Sequence, residues 1–248
     1  ITIGAALTAA TIDLGNGTDA LTLGNFTNSV TVSNVENITG GTGADTVTLA
    51  TALAGTAVNL GTGTDTLILA NFANTGTVSN VEVITGNAAA DTITLATAIS
   101  AGNIDLDAGT DSLTLGNFTN SLTVSNVETL TGGTGADTVT LATALTGMTI
   151  NLGAGTDSLT LANTVNTGTV SNVETLTGNA GVDTITLATA IAGGTIDLAG
   201  GADSLTLANG TNSATVANVE TITGGTGADT IGMSTALASG TIDLAGGS

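Results

Sequence analysis

A 46-residue unit repeats along the whole of this 248-residue chain without insertion or deletion. The dipeptide Val-Glu marks the unit and recurs every 46 residues, at Val35-Glu36, Val81-Glu82, Val127-Glu128, Val173-Glu174 and Val219-Glu220. Self-similarity at a fixed period is typical of stacked repeat proteins, in which each unit buries its faces against its neighbours. A functional site in such a chain is expected to be a ladder of equivalent residues and not a single pocket.

Short alternating runs between glycine-rich turns indicate strands. Thr46-Val47-Thr48-Leu49 and Thr149-Ile150-Asn151-Leu152 alternate with a period of two, which is typical of half-buried strands. We therefore expect an all-β fold, a parallel β-solenoid (β-roll or β-helix) of about 11 coils, in which each repeat spans two coils. The slipped alternation at Ser171-Asn172 predicts a corner or bulge there. A β-sandwich is the alternative, but it gives no reason for a constant repeat length.

The repeat predicts one continuous solenoid segment over residues 1–248. We divide it into units 1–34, 35–80, 81–126, 127–172, 173–218 and 219–248, of which the first and last are partial. Solenoids carry polar caps at their ends, and neither end of this sequence resembles one. We expect the segment to belong to a longer repeat protein or to a polymer.

The charge pattern restricts the partners of the chain. It has 20 acidic residues and no Lys, Arg or His, so its net charge is -20. Nucleic acids and anionic membrane surfaces are recognised through Lys and Arg, so neither is an expected partner. No apolar run approaches the length of a membrane span, so we expect no membrane insertion. Cations are the expected partners.

Glycine-rich turns ending in aspartate recur at two alternating intervals, a shorter one as from Asp45 to Asp65 and a longer one as from Asp65 to Asp91. Three of them, over residues 40–48, 132–140 and 224–232, fit the pattern Gly-Gly-x-Gly-x-Asp-x-apolar-x. In these turns the chain resembles the RTX (hemolysin-type) calcium-binding repeats of secreted bacterial proteins. The resemblance implies a parallel β-roll in which Asp carboxylates and turn carbonyls bind Ca²⁺ between successive coils. The candidate calcium ligands are Asp19, Asp45, Asp65, Asp91, Asp111, Asp137, Asp157, Asp183, Asp203 and Asp229.

The departures from the family pattern lead to further expectations. The motif occurs once per expected coil, and the segments 50–55 and 71–76 carry no acid, so calcium is expected along one edge only. The turns before Asp91 and Asp183 lack glycines, which weakens the case for binding there. Ten aspartates in one row about 5 Å apart would repel by about 3 kcal/mol per neighbouring pair at a dielectric constant of about 20. The alternative is that these residues are ordinary turn formers without a ligand.

Three other columns recur with the same period. Asp13, Asn59, Asp105, Asn151, Asp197 and Asp243 alternate between acid and amide, which favours a turn-capping role over an auxiliary metal role. The glutamates of the Val-Glu pairs are expected every second coil, on a solvated face or as lateral contacts bridged by cations. Phe26, Phe72 and Phe118 are expected to plug a corner of the core, opposite the calcium edge, and an exposed aromatic row for association is the alternative.

Enzymatic activity is not expected. His, Lys, Arg, Cys and Tyr are all absent. Every acid except Asp107 belongs to a repeated column, and Asp107 forms one local pair with Asp105 that we interpret as turn residues. A carboxylate pair can hydrolyse glycosides only within a differentiated cleft. We expect a structural protein: the calcium-stabilised shaft of a surface filament, surface layer or adhesin of a Gram-negative bacterium. Such a protein is secreted, by the type I route, to the cell surface and associates with itself into a filament or lattice.

Two other functions stay open from the sequence. Thr42, Thr62, Thr134, Thr156 and Thr226 lie in or beside the turns. These turns look similar to those of calcium-dependent bacterial ice adhesins, which indicates an ice-binding or adhesive module. The segment is also compatible with a calcium-binding RTX spacer inside a larger secreted toxin or hydrolase.

Overall fold

The strands of this protein form two parallel sheets. A computed structural model describes residues 1–237 and 239–246, and within them the chain folds into strands and turns without a helix. Each sheet has 13 strands, and strands that are adjacent in sequence belong to opposite sheets. The architecture is a β-solenoid of about 12 turns, which confirms the fold class predicted from the sequence.

We call the sheet of odd-numbered strands the odd sheet and the other the even sheet. The odd sheet contains, in order, β1 (Ala10–Asp13), β3 (Ser29–Ser33), β5 (Thr46–Leu49), β7 (Thr66–Ile68), β9 (Val83–Thr85), β11 (Ser100–Asp105), β13 (Ser121–Ser125), β15 (Thr138–Leu141), β17 (Ser158–Thr160), β19 (Thr175–Thr177), β21 (Ala192–Asp197), β23 (Ser213–Ala217) and β25 (Thr230–Met233). The even sheet contains β2 (Ala20–Thr22), β4 (Asn37–Gly41), β6 (Ala54–Gly61), β8 (Thr75–Ser79), β10 (Thr92–Leu95), β12 (Ser112–Thr114), β14 (Thr129–Thr131), β16 (Thr146–Asn151), β18 (Asn166–Ser171), β20 (Asp183–Leu187), β22 (Ser204–Thr206), β24 (Thr221–Thr223) and β26 (Thr241–Asp243).

The described structure divides into two compact units, Ile1–Thr129 and Leu130–Ser248. Each unit contains strands of both sheets, and its core lies between them. In the first unit the core includes Leu21, Ile38 and Val58, which are buried and stack in register on successive even strands. The residues that alternate with them are mostly the exposed or half-buried threonines predicted from the period-two pattern. Among the described residues, no helix is long and apolar enough to span a membrane.

Each coil supplies one strand to each sheet and is shorter than the sequence predicts. In the odd sheet Val30 pairs with Val47 and Val47 with Leu67, so one coil closes between the members of each pair. Four such steps carry the chain only from Val30 to Ile104, so an average coil is shorter than half of a repeat. The expected division of each repeat into two coils is therefore wrong.

The repeat contains five strands, which is two and a half coils. Residues 35–80, for example, contain β4 to β8. The shorter interval, from Asp45 to Asp65, holds two strands and closes one coil, whereas the longer interval, from Asp65 to Asp91, holds three strands. Because five is odd and a coil has two strands, equivalent positions of successive repeats fall in opposite sheets.

The middle strand of the longer interval ends at the corner that the sequence indicates. Asn34, Asn80, Asn126, Asn172 and Asn218 all have left-handed backbone conformations, with φ between 51° and 54°. Asparagine tolerates this region better than most residues with a side chain. The corner predicted at Ser171-Asn172 is thereby confirmed, since β18 ends at Ser171 and Asn172 has φ of 54°. The sharp turn lets a short segment change sheets within a few residues.

Candidate metal centre

The ten predicted aspartates lie at strand starts on both edges of the solenoid. Asp45 and Asp65 precede odd strands β5 and β7, whereas Asp91 and Asp111 precede even strands β10 and β12. Strands of opposite sheets run in opposite directions around a coil, so their starts lie at opposite edges. The expectation of one acidic row on one edge is therefore wrong. The segments 50–55 and 71–76, predicted to line an acid-free edge, lie in the first unit at the edge where Asp91 and Asp111 lie.

The aspartates form hydrogen-bonded ladders along these edges, which we call corner ladders. In the first one, the backbone N–H of Asn28 donates to Oδ1 of Asp45 at 3.0 Å. The N–H of Asp45 donates to Oδ1 of Asp65 at 2.7 Å, and the N–H of Asp65 donates to Oε2 of Glu82 at 2.8 Å. Each carboxylate thus accepts a backbone N–H at the strand start of the coil before it. The order along the edge is Asn, Asp, Asp, Glu.

The same order recurs on the other edge of the first unit and again in the second unit. Asn74, Asp91, Asp111 and Glu128 are linked by N–H donation at 2.9, 2.6 and 2.6 Å. In the second unit Asn166, Asp183, Asp203 and Glu220 are linked at 3.1, 2.7 and 2.8 Å. A repeated hydrogen bond of this kind fixes the register between coils. The Oδ1 atoms therefore have a structural role whether or not a metal binds.

An apolar residue interrupts the acids of each edge. Leu53, Ile99, Leu145 and Ile191 occupy the corner position next to the ladder asparagine and are buried. Their backbone N–H groups donate to the Oδ1 atoms of Asn74, Asn120, Asn166 and Asn212. The ladder asparagines recur with the period of the repeat, as the glutamates do, but sequence reasoning did not identify them. Their constant spacing along the sequence is the signal that could have identified them.

Every one of the ten aspartates has a second carboxylate oxygen that is buried without a hydrogen-bond partner. These atoms are Oδ2 of Asp19, Asp45, Asp65, Asp91, Asp111, Asp137, Asp157, Asp183, Asp203 and Asp229. The asparagines of the ladders differ in this respect, because Nδ2 of Asn28 donates to the carbonyls of Gly24 and Phe26 at 3.1 and 2.8 Å. An ionised aspartate has no donor for such carbonyls. A buried carboxylate oxygen that accepts no hydrogen bond is costly, and a proton or a cation would offset this cost.

Burial also changes the acidity of these groups. Loss of solvent raises the pKa of Asp65 to about 6, and the carboxylates of Asp45 and Glu82 contribute to the increase. Burial likewise raises the pKa of Asp111 to about 6, with contributions from Asp91, Glu128 and Asp107. The pKa values of Asp91, Asp157, Asp183 and Asp203 are raised for the same principal reason, burial. Hydrogen bonds from backbone N–H groups oppose the increase but do not cancel it.

The ligand chemistry of the corners fits a hard cation. Ca²⁺ takes six to eight oxygen ligands, and carboxylates and carbonyls are its usual donors. Within the described residues, however, three or more acidic side chains do not converge on one point that could hold a metal. Each Oδ2 would therefore contribute one carboxylate, and turn carbonyls and water would supply the other ligands. The arrangement fits many equivalent single-carboxylate sites and not one dedicated metal cluster.

Glycines bring the turns of neighbouring coils close together. A methyl group on Gly40 would lie 2.1 Å from the carbonyl oxygen of Leu60, and one on Gly132 would lie 2.0 Å from that of Leu152. Steric exclusion therefore explains the first glycine of the motif. The turns before Asp91 and Asp183, which lack some glycines, still place their Oδ2 atoms as the others do. Their position in the ladder does not distinguish them as weaker sites.

The alternating acid and amide column has the predicted turn-capping role. Oδ1 of Asp105 accepts the N–H of Asp107 at 3.0 Å and Nδ2 of Asn126 at 2.7 Å. Oδ1 of Asn59 makes the same two contacts, with Gly61 and Asn80, at 3.1 and 2.8 Å. Because only a neutral acceptor is needed, Asn and Asp are interchangeable here. We call these six residues, Asp13, Asn59, Asp105, Asn151, Asp197 and Asp243, the cap column.

Two predicted columns lie elsewhere than expected. The glutamates, expected every second coil on a solvated face, are half-buried, end the corner ladders and fall on alternating edges. Phe26, Phe72 and Phe118, expected to plug the core, are 44, 56 and 44% exposed. They lie in turns at the starts of the ladders, next to Asn28, Asn74 and Asn120, and not opposite the aspartates. In both cases the shorter coil moves the residue to a different part of the cross-section.

The turn threonines do not form a regular row. Thr42 and Thr62 each lie three residues before an aspartate, in successive coils. Thr134 also lies three residues before its aspartate, but Thr156 directly precedes Asp157. The geometry at the turns therefore gives no support to an ice-binding surface made from them.

Comparison of the chain with protein families, with curated proteins and with solved structures finds no significant match. The resemblance of the turns to RTX repeats therefore stays a prediction.

Proposed function

We propose that this chain is a structural, non-enzymatic protein, the calcium-stabilised β-solenoid shaft of a bacterial surface filament, surface layer or adhesin. The observation that carries the proposal is the set of ten buried aspartate Oδ2 atoms without partners. Because the chain has no Lys, Arg or His, no side chain can neutralise them. An external cation, abundant outside the cell, is the simplest source of the missing charge.

The electrostatics support folding that depends on the medium. A chain with 20 acids and no basic side chain repels itself when compact. A ligand that binds only the folded form stabilises it by mass action, by about 2.7 kcal/mol per site at about 100 times the dissociation constant. Many weak sites of this kind would together keep the solenoid folded in a calcium-rich medium. The same chain would stay unfolded in a medium poor in calcium, which suits export before folding.

The repetition of the acids supports a structural role over catalysis. Catalytic carboxylates need different environments that separate their pKa values. Here the buried acids occur in equivalent ladders, and the acids of the cap column are turn acceptors. Equivalent ladders that recur within each unit fix the register between coils, which suits a stiff structural element.

A calcium titration tests the metal site. The chelated protein is titrated with Ca²⁺ at neutral pH, with bound metal counted by elemental analysis and folding followed by circular dichroism. We expect folding on addition of calcium and unfolding on chelation, with bound calcium approaching one ion per ladder aspartate. The variants D45N and D65N should each lower the count. Substitution D105N in the cap column is the matched control and should leave it unchanged.

An unchanged melting temperature in chelator at neutral pH would contradict the calcium site. Equal loss of bound calcium in D105N and D65N would show nonspecific binding to surface charge instead. Electron microscopy of the calcium-loaded protein tests self-association separately. Filaments or sheets support an assembling shaft, whereas separate short particles at all concentrations argue against self-assembly of this segment.

A further inference from the structure

The outer face of the even sheet in the second unit carries two columns of hydroxyl side chains, each running without a break across five successive strands. Both columns are in register. The first contains Thr167, Thr184, Ser204, Thr221 and Thr241, and the second contains Thr149, Thr169, Thr186, Thr206 and Thr223. The second column ends where Thr223 pairs with Asp243 of the last strand. We call these ten residues the threonine array.

The array is accessible and its hydroxyls are free of protein partners. Each of the ten residues is exposed or half-buried, while Ile185, Leu205 and Ile222 between the columns point into the core. In the described part of the chain, no hydroxyl of the array is hydrogen-bonded to another protein group. Each hydroxyl can therefore donate to and accept from water outside the protein.

The spacing of the array matches that of an ordered water lattice. Parallel strands lie about 4.8 Å apart, so neighbouring hydroxyls in one column repeat at that distance. Hydrogen-bonded water oxygens lie about 2.8 Å apart, so two waters that share a tetrahedral neighbour are about 4.6 Å apart. A column of threonines thus anchors every second water of a lattice row. Two such columns, separated by two residues of a strand, extend the match to a surface.

The chemistry of the face suits ice more than a charged or strongly apolar partner. The array contains no charged residue, although the chain carries 20 acids. The ladder acids that directly precede Thr184, Ser204 and Thr221 are buried or half-buried, so they do not project from the face. Threonine offers a hydroxyl that bonds lattice water and a methyl group that fills the space between waters. Rigid parallel strands hold these groups in place, so little side-chain entropy is lost on binding.

The odd sheet of the same unit lacks a complete array. Its column Thr138, Ser158, Thr175, Thr195, Thr215 is continuous, but Thr140, Thr160 and Thr177 are followed by Asp197 and Ala217. A carboxylate within a row of hydroxyls organises its own hydration and disturbs the lattice. The two faces of this unit are therefore distinct.

We infer that the threonine array is an ice-binding face, a second function beside the structural role of the solenoid. The site differs from the turn threonines considered from the sequence, because it lies on the strands and does not include Thr134, Thr156 or Thr226. The inference does not depend on the calcium proposal, since the array uses hydroxyl groups and not the acids.

Thermal hysteresis of the full chain in saturating calcium tests this inference, with inhibition of ice recrystallisation as a second reading. We expect activity in the unmodified protein and its loss in T186K, which places a long cation in the centre of the array. Substitution T215K adds the same charge at an exposed position of β23, on the odd sheet of the same unit. This control should keep full activity, and T186S, which retains the hydroxyl, should keep most of it. Circular dichroism establishes that all variants are folded.

Absence of hysteresis and of recrystallisation inhibition in the folded, unmodified protein would overturn the inference. Equal loss in T186K and T215K would exclude the array as the binding face. If T186K instead abolishes association between copies seen by sedimentation, and ice activity is absent, the face is a protein interface and the inference is wrong.

Discussion

Replacing Asp65 and Asp111 by asparagine isolates the effect of the unpartnered carboxylate oxygens. Asparagine keeps an Oδ1 acceptor for the N–H groups of Asp45 and Asp91, which donate at 2.7 and 2.6 Å. It removes the negative charge that burial disfavours, and it already occupies the equivalent corner position at Asn28. The double variant D65N/D111N therefore keeps the ladder and removes two charges. Without metal it should be more stable than the unmodified protein at neutral pH.

The size of the effect follows from the pKa values. Both groups rise from 3.8 to about 6 in the folded protein, which corresponds to about 3 kcal/mol each. Solvent screening reduces this, so we take about 1 to 2 kcal/mol per group. Because the pKa of each aspartate is raised in the folded state, its protonated carboxyl group contributes fully to stability below about pH 4. This contribution is lost as pH rises through about 6, because the unfolded state ionises first.

Urea unfolding in chelator, followed by circular dichroism across about pH 4.5 to 7.5, measures this effect. The advantage of D65N/D111N should grow with pH, level off above about 6 and reach about 2 to 4 kcal/mol. Substitution D105N removes a charge from the cap column, where Asn59 and Asn151 are natural equivalents, and should give little gain. In saturating calcium the order should reverse, because the double variant lacks two ligands. A gain independent of pH, or an equal gain in D105N, would refute the reasoning.

Two further substitutions test the ladder and the turns by chemical unfolding. E82A removes the acceptor of the Asp65 N–H and should lower the free energy of unfolding by about 1 to 3 kcal/mol. E82Q keeps an acceptor and should retain most of that stability. If E82A is as stable as the unmodified protein, water replaces the hydrogen bond. G40A would place a methyl group 2.1 Å from the Leu60 carbonyl oxygen and should lower the free energy of unfolding by about 1 to 3 kcal/mol. In G232A the nearest atom to the new methyl group is 4.0 Å away, so this variant should be nearly as stable as the unmodified protein. Comparable losses in both variants would show that the coils shift to make room at Gly40.

Local features of the fold were predictable because they depend on neighbours in sequence. Period-two alternation identified strands such as Thr46–Leu49, and the turn glycines identified their ends. The corner at Asn172 was visible because alternation slips there, and the structure shows a left-handed residue at that point. The cap column was assigned correctly because exchange of Asp with Asn excludes a need for charge. In each case the evidence lies within a few residues.

The number of strands per coil was not predictable, because it depends on where the chain closes around the core. The alternation of shorter and longer intervals between aspartates suggested two coils of unequal length. The longer interval contains an extra strand, such as β8 between Asp65 and Asp91, which ends at the sharp turn of Asn80. The sequence predicted a corner or bulge within one coil at that turn, whereas in the structure the turn takes the chain to the opposite sheet. This single difference moved the aspartates, glutamates and phenylalanines from the positions expected for them.

The odd number of strands in the repeat also determines how the charge is distributed. On one edge of the first unit, Leu53 and Asn74 separate Glu36 from Asp91, so the two acids are three coils apart. Three strand spacings amount to about 14 Å, which exceeds the Debye length of about 8 Å at physiological salt. Acids within a ladder are close enough to interact, whereas acids of successive ladders on that edge are screened from each other. We therefore expect calcium sites within a ladder to depend on each other and sites of different ladders to be independent, so that D111N weakens binding at Asp91 but leaves Asp19 unaffected. Equal weakening at both positions would show that charge is coupled over the whole edge and that the apolar corners do not separate the ladders.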